Sequence, residues 1–362
     1  MRRRVVLLGV VVALAMLSGA AAVVHERDVP RRSTEELEEL VPDGAAVDGG
    51  DAGSPSAPPG SAGDDAAAES RDAEFGVFLN SPADVTQYRE AFAAFEQWAG
   101  RRIERYKLNI AWDQGWSQFE FPFWLGEFDG EPVSIATPLF VRGASVDDVL
   151  RGAHDDSYRR LADRLIAHGM QDAILVLGWE FNTDWFPWGT RLIGDDAYVA
   201  AFRYVHDRLM ERPGAAFTFD WASVPGEADP RGAYPGDEYV DFIGSDVYDR
   251  DWEFGPAQGG DWYVRRWNKL VAQDWGLAWL AEFAGAHGKQ ISLPEWGLVT
   301  RDSDENGGGD NPYFVEQVFA WVAANNVAYH AYHNSDNPDL SSRLDDDDVP
   351  NAADAFRELL IR

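Results

Sequence analysis

The chain of 362 residues contains no cysteine. Disulfide bonds are therefore excluded, as is a lipid-bearing cysteine behind an apolar leader, and stability must come from a core large enough to need no cross-links. Lysine is nearly absent: Lys107, Lys269 and Lys289 are the only three among 31 basic residues, and the formal net charge is −31. A nucleic-acid partner is excluded by that balance, because phosphate binding needs a basic footprint. An acidic, lysine-poor surface instead fits solubility at high salt, where screening removes self-repulsion. Codon preference accounts for the excess of arginine equally well.

Aromatic residues are missing from residues 1–74 and then abundant, with all 15 Trp, 12 Tyr and 20 Phe falling after that point. Long apolar runs are missing everywhere except at the start. There Met1-Arg-Arg-Arg4 precedes an uncharged apolar stretch over 5–22 that ends in Ala20-Ala21-Ala22. That is the layout of a secretory signal peptide, with an uncleaved membrane anchor as the alternative. Residues 1–24 are thus expected to be a signal peptide or anchor. Residues 25–72, rich in Asp, Glu, Ala, Gly, Pro and Ser, read as a disordered acidic linker, since they cannot bury enough apolar surface to offset chain entropy. The folded part lies outside the cytoplasm on this reading, either extracellular or tethered to the outer face of the membrane. It is expected to be monomeric.

From residue 73 the pattern alternates strand with helix, which predicts an α/β fold with a parallel sheet. Strands are expected over 75–79, 105–112, 132–140, 173–179, 216–221, 239–246, 290–293 and 327–333. Helices are expected from Ser81-Pro82 to Gly100, over 157–168 and 195–212, over 262–287 with a break near Asp274-Trp-Gly276, over 312–324 behind Asn311, and over 352–361. An aromatic loop is expected over 112–124. Eight strands in alternation fit one closed (β/α)8 TIM barrel over residues 73–362.

Two strands end in the same unusual way. Leu175-Val-Leu-Gly-Trp-Glu180 and Ile291-Ser-Leu-Pro-Glu-Trp-Gly297 are apolar runs broken by a glutamate next to tryptophan. In a barrel, the carboxyl ends of the strands carry the active site. A single glutamate there is usually a cap or salt-bridge partner, but two such sites point to catalysis. Glu180 and Glu295, three strand–helix units apart, suggest glycoside hydrolysis, in which one carboxyl donates a proton and the other is nucleophile or base. The aromatic cluster Trp179, Trp185, Phe186 and Trp188 offers flat apolar faces to sugar rings, and Asn182 a hydrogen bond to a hydroxyl. For Trp179 core packing is an equal reading, whereas Trp185 and Trp188 lie in the loop beyond the strand.

Three motifs carry a family resemblance. Gly178-Trp-Glu-Phe-Asn-Thr-Asp-Trp-Phe-Pro-Trp-Gly189 resembles the acid/base motif of glycoside hydrolase family 26, the β-mannanase family of the large (β/α)8 glycosidase clan. Tyr239-Val-Asp-Phe-Ile-Gly-Ser-Asp-Val-Tyr248 resembles its strand-six motif, and Pro294-Glu-Trp-Gly297 its nucleophile motif. The resemblance implies that Glu180 is the proton donor, Glu295 the nucleophile, and Tyr248 a hydrogen-bond partner of Glu295. It also implies that Asp246 and Trp296 belong with the substrate-binding residues. The expected substrate is a β-linked polysaccharide, mannan first, with another β-glucan or xylan, or binding without hydrolysis, as alternatives. Three positions depart from the family: Trp179 replaces a histidine, Val176 an arginine, and Tyr332-His-Asn334 a tryptophan platform.

No cofactor or metal is expected. The seven histidines lack ligand spacing, and the chemistry needs no ion. Asp302-Ser-Asp-Glu-Asn-Gly307 begins like a calcium loop, but its twelfth position is Tyr313, so a solvated loop is expected. The acidic run 345–348 reads as a solvated turn.

Overall fold

The computed structural model describes residues 73–80, 85–251, 254, 260–300, 306–336 and 340–361. The expectations for 1–72, for Ser81-Pro82 and for 302–305 lie outside them. Among the described residues, no helix is long and apolar enough to cross a membrane.

Eight parallel strands close into a barrel in chain order: β1 (Glu74–Leu79), β2 (Arg105–Asn109), β3 (Val133–Thr137), β4 (Ile174–Leu177), β5 (Thr218–Ser223), β6 (Phe242–Tyr248), β7 (Gln290–Gly297) and β8 (Val327–Asn334). The outer layer consists of α1 (Tyr88–Ala99), α2 (Trp116–Glu120), α3 (Val146–Leu150), α4 (Asp155–Ala167), α5 (Thr190–Ile193), α6 (Asp195–Met210), α7 (Trp262–Ala272), α8 (Leu277–Ala286), α9 (Pro312–Ala324) and α10 (Pro350–Leu360). The (β/α)8 barrel expected from the alternation is the fold.

The layers follow from the strand period of two. In β2, Tyr106 points outward and packs edge-on against Phe92 of α1, which leaves its neighbour Lys107 facing the barrel interior. Helix stops are equally local: α1 ends at Gly100 in the left-handed conformation (φ 72°), and Asn311 caps α9 by accepting from the Phe314 amide.

The break expected near Asp274-Trp-Gly276 is present: 262–287 forms α7 and α8, parted where Trp275 takes a positive φ of 57° and Gly276 packs against backbone. Three expectations need correction. The aromatic loop over 112–124 contains α2, and the short helices α3 and α5 were not foreseen, because one-turn helices carry too few residues to show a period. Strand β6 begins at Phe242 rather than 239, and β2, β3 and β4 stop short of their expected ends. Strand β7 continues past Leu293 to Gly297, so Glu295 lies inside a strand rather than after it.

Candidate active site

The last correction decides the geometry of the site. Proline lacks the N–H that a central strand needs, so it survives in a sheet interior only at an irregularity. Against β6, Gly244 pairs with Ser292 and Asp246 with Glu295. Against β8, His330 pairs with Leu293 and Tyr332 with Trp296. Both registers therefore put one extra residue in β7 beside Pro294, a β-bulge. In a regular strand Ser292, Pro294 and Trp296 would share one face. The bulge reverses the alternation, turning Glu295 into the barrel and Trp296 outward against Phe314, Phe319 and Phe356 of α9 and α10. Trp296 is fully buried there, which corrects its assignment as a substrate-binding residue.

Glu180 reaches the same point by a different device. After β4, Gly178 turns the chain at φ 58°, where a Cβ would lie 2.7 Å from the Leu139 side chain. Glu180 itself is left-handed, with φ 52°, a costly conformation for a glutamate. Hydrogen bonds on both sides hold it: its amide donates to the Ala222 carbonyl (2.9 Å), and its carbonyl accepts from Thr183 Oγ1 (2.7 Å).

The remainder of that loop is scaffold. Asn182 donates to the carbonyls of Val224 and Ala228 and accepts from the Val224 amide, tying the loop after β4 to the one after β5. Trp188 is fully buried, stacked on Phe186, and donates to the Trp179 carbonyl at 2.8 Å. Asn182 and Trp188 are completely buried with their polar atoms bonded to backbone, so both substrate-binding assignments are corrected. Trp179 packs on both Phe186 and Trp188 and is 7 % exposed. Trp185 is the ring that points at the chemistry: partly exposed, it donates its indole N–H to Glu180 Oε2 at 2.5 Å.

Glu180, Asp246 and Glu295 each present an oxygen within 4.8 Å of the other two. That spacing alone would admit a cation, but an ammonium (Lys107), a phenol (Tyr248) and an imidazole (His333) already act on the cluster. Tyr248 donates to Glu295 Oε1 at 2.5 Å, as the motif resemblance implied. His333 Nδ1 lies 3.3 Å from Glu295 Oε2, at ion-pair distance without hydrogen-bond alignment, and its ring stacks on Phe78. Asp246 is buried and its Oδ1 has no hydrogen-bond partner among the described residues.

The carboxyl groups are pushed apart electrostatically. Burial, and then repulsion from Glu295, raise Glu180 to about 8, against the opposing pull of the Trp185 hydrogen bond and Lys107. Burial would raise Glu295 too, but His333, Lys107 and the Tyr248 hydroxyl outweigh it and hold that carboxyl down at about 2. Asp246 is raised well above the ordinary aspartate range by burial and by its two glutamate neighbours. One group is kept protonated and the other ionised at neutral pH.

Two participants were missed in the sequence. His333 stood in the stretch noted only for lacking a tryptophan. Lys107, one of three lysines, sits at the middle of a strand between the apolar Tyr106 and Leu108, which was the available signal. A hollow of about 440 Å³, lined by Trp116, Arg142, Asp148 and His154, contains none of the three carboxylates, so carboxylate geometry rather than cavity size locates the chemistry.

A closed (β/α)8 barrel with two oppositely poised glutamates at its mouth, one just after β4 and one on β7, has the arrangement that glycoside hydrolysis requires. The glycosyl hydrolase family 26 model matches residues 166–292, a span that includes Glu180 and ends just before Glu295. Endoglucanase H of Acetivibrio thermocellus is 25% identical over 215 residues, covering 54% of this chain and 23% of that protein. The mannan endo-1,4-beta-mannosidase of Bifidobacterium adolescentis is 28% identical over 165 residues, covering 42% and 15%. The chain thus spans less than a quarter of the length of these relatives. Among solved structures, a modular endo-β-1,4-mannanase from Cellulomonas fimi superposes with a TM-score of 0.55 at 18% identity, over 80% of this chain and 71% of that one. A family 26 β-mannanase from Bacteroides ovatus gives 0.51 at 16% identity, over 80% and 88%. Over residues 166–292 the barrel is similar to glycosyl hydrolase family 26, and its fold is shared with β-mannanases of that family.

Proposed function

We propose that the barrel is a retaining glycoside hydrolase that cleaves β-linked polysaccharide, with mannan as the first substrate. The observation that carries this reading is the pair Glu180 and Glu295, with oxygens within 4.8 Å and opposite protonation states. Retaining enzymes hold the two groups about 5–5.5 Å apart, whereas inverting ones need about 6.5–9.5 Å to fit a water. In the first step Glu295 attacks the anomeric carbon while Glu180 gives its proton to the departing glycosidic oxygen. A covalent glycosyl–Glu295 ester results. In the second step Glu180, now ionised, takes a proton from water, which attacks the same carbon and releases Glu295. Trp185, bonded to the Glu180 carboxyl, borders the position where the leaving sugar must sit. The name of the Acetivibrio relative favours a second reading, the same chemistry on a β-glucan. We place the enzyme outside the cytoplasm, secreted or tethered, on the strength of residues 1–24.

Incubating the protein with mannan, a mixed-linkage β-glucan and xylan tests the substrate, and the anomer released first, followed by NMR, tests the mechanism. Release of the β-anomer from mannan is expected. An α-anomer first product rules out retention, and no product from any of the three favours a binding barrel.

Tyr248→Phe removes the hydroxyl that orients Glu295 and favours its ionised form. A charge-assisted hydrogen bond of about 1.5–3 kcal/mol corresponds to roughly a 10–100-fold fall in kcat. Full activity in that variant would remove Tyr248 from the site.

A further inference from the structure

Barrel interiors are ordinarily filled by bulky branched apolar side chains. Here the interior beneath the two glutamates is polar. Lys107 of β2 is 1 % exposed, and Ser134 beside it on β3, Asp220 of β5 and Ser292 of β7 are completely buried. Gly244 keeps the space open: a Cβ there would lie 2.4 Å from Ser292 Oγ and 2.6 Å from Asp220 Oδ1. Tyr329 of β8 donates to Asp220 Oδ2, but Asp220 Oδ1, Ser134 Oγ, Ser292 Oγ and Asp246 Oδ1 have no hydrogen-bond partner among the described residues.

A buried ammonium is costly unless anions compensate it. Among the described residues no carboxylate lies within the 4.0 Å of an ion pair with Lys107, so no single partner accounts for its burial. The carboxyl groups inside the barrel with it are Glu180 just beyond β4, Asp220 on β5, Asp246 on β6 and Glu295 on β7, three of which cluster within 4.8 Å. Its charge acts on all four of the carboxylates at once. Four buried carboxyl groups against one ammonium and one imidazole cannot all be ionised.

We propose that Lys107 is the shared internal counter-cation of the site, a positioning residue that touches no substrate and sets how many protons Glu180, Asp246, Glu295 and Asp220 hold among them. It supports Glu295 as the ionised member of the set. This inference rests on the glycosidase reading only for its kinetic test.

Lys107→Met and the double variant Lys107→Met/Asp220→Asn provide that test. Loss of the cation raises the neighbouring carboxyl pKa values, so both limbs of the kcat/KM–pH profile of Lys107→Met should move to higher pH, the acid limb by about one unit. Removing an anion as well should return the alkaline limb of the double variant toward the wild-type position, because Asp220, raised to about 6, is ionised there but already neutral at the acid limb. Thermal unfolding across pH gives a readout independent of activity. Lys107 lowers the folded pKa of Glu295, and a depressed carboxyl stabilises above its unfolded pKa and loses that contribution as pH falls. The Tm deficit of Lys107→Met should therefore be largest near pH 7 and shrink on acidification. If Lys107→Met fails to fold while the double variant folds, charge balance is again the cause. An unshifted profile with a Tm deficit independent of pH, or failure of both variants to fold, overturns the proposal and leaves Lys107 as packing. If the wild type hydrolyses nothing, the function above fails, and the unfolding series still decides the role of Lys107.

Discussion

Glu295→Ala abolishes turnover of every glycoside, activated or not. No covalent ester can form without the carboxylate on β7, and the shortened side chain cannot reach the anomeric carbon. Residual hydrolysis should fall below detection with polysaccharide and aryl glycoside alike, measured by reducing-sugar release and by phenolate absorbance. The barrel itself should fold, because the substitution leaves the bulge beside Pro294 in place and Trp296 in its outward pocket. A Glu295→Ala variant that keeps even one-tenth of wild-type activity on an aryl glycoside would take the nucleophile's role away from this residue.

Glu180→Ala has a different signature, since a proton donor matters only when the leaving group needs a proton. General acid–base catalysis is worth about 10²–10⁴-fold, and a loss of that order is expected on polysaccharide. On a dinitrophenyl glycoside the first step should be nearly unimpaired, with the ester accumulating until an external nucleophile removes it. Azide should accelerate that variant and give a glycosyl azide of retained configuration. The pH profile adds an independent check. Wild-type kcat/KM should decline as pH rises through the Glu180 pKa of about 8, because the general acid is then lost, and Glu180→Ala should lack that limb on the activated substrate. An inverted azide product, or equal rescue of Glu295→Ala, would reverse the two assignments.

The difference between the two carboxyl groups lies in their surroundings, which explains why only half of it was legible in the sequence. Glycine before a left-handed glutamate, with tryptophans on either side, is a local pattern, and Gly178 to Gly189 displays it in twelve residues. Tyr248 was found through its motif. His333 and Lys107 reach Glu295 from β8 and β2, at sequence distances where no spacing rule links them to Glu295. Their action on it exists only after the barrel closes. The aromatic cluster shows the opposite error. Trp188 and Trp296 looked like sugar platforms because tryptophan beside a catalytic glutamate serves either as platform or as packing, and composition is the same for both. Asn182 likewise looked free to meet a hydroxyl, whereas three backbone groups of the next loop already occupy its amide.

Strand and helix alternation, the stops at glycine, and the placing of Glu180 and Glu295 at the mouth of the barrel were determined by the sequence alone. These depend on period, caps and chain order, all short-range properties. Only the tertiary structure decided that Glu295 faces inward. The extra residue beside Pro294 is defined relative to β6 and β8, and a bulge has no meaning in a strand considered by itself. The protonation of the site was decided the same way. Glu180 and Glu295 are chemically identical glutamates, and the barrel separates them by giving one burial and a carboxylate neighbour, and the other an imidazole, a phenol and an ammonium drawn from three different strands.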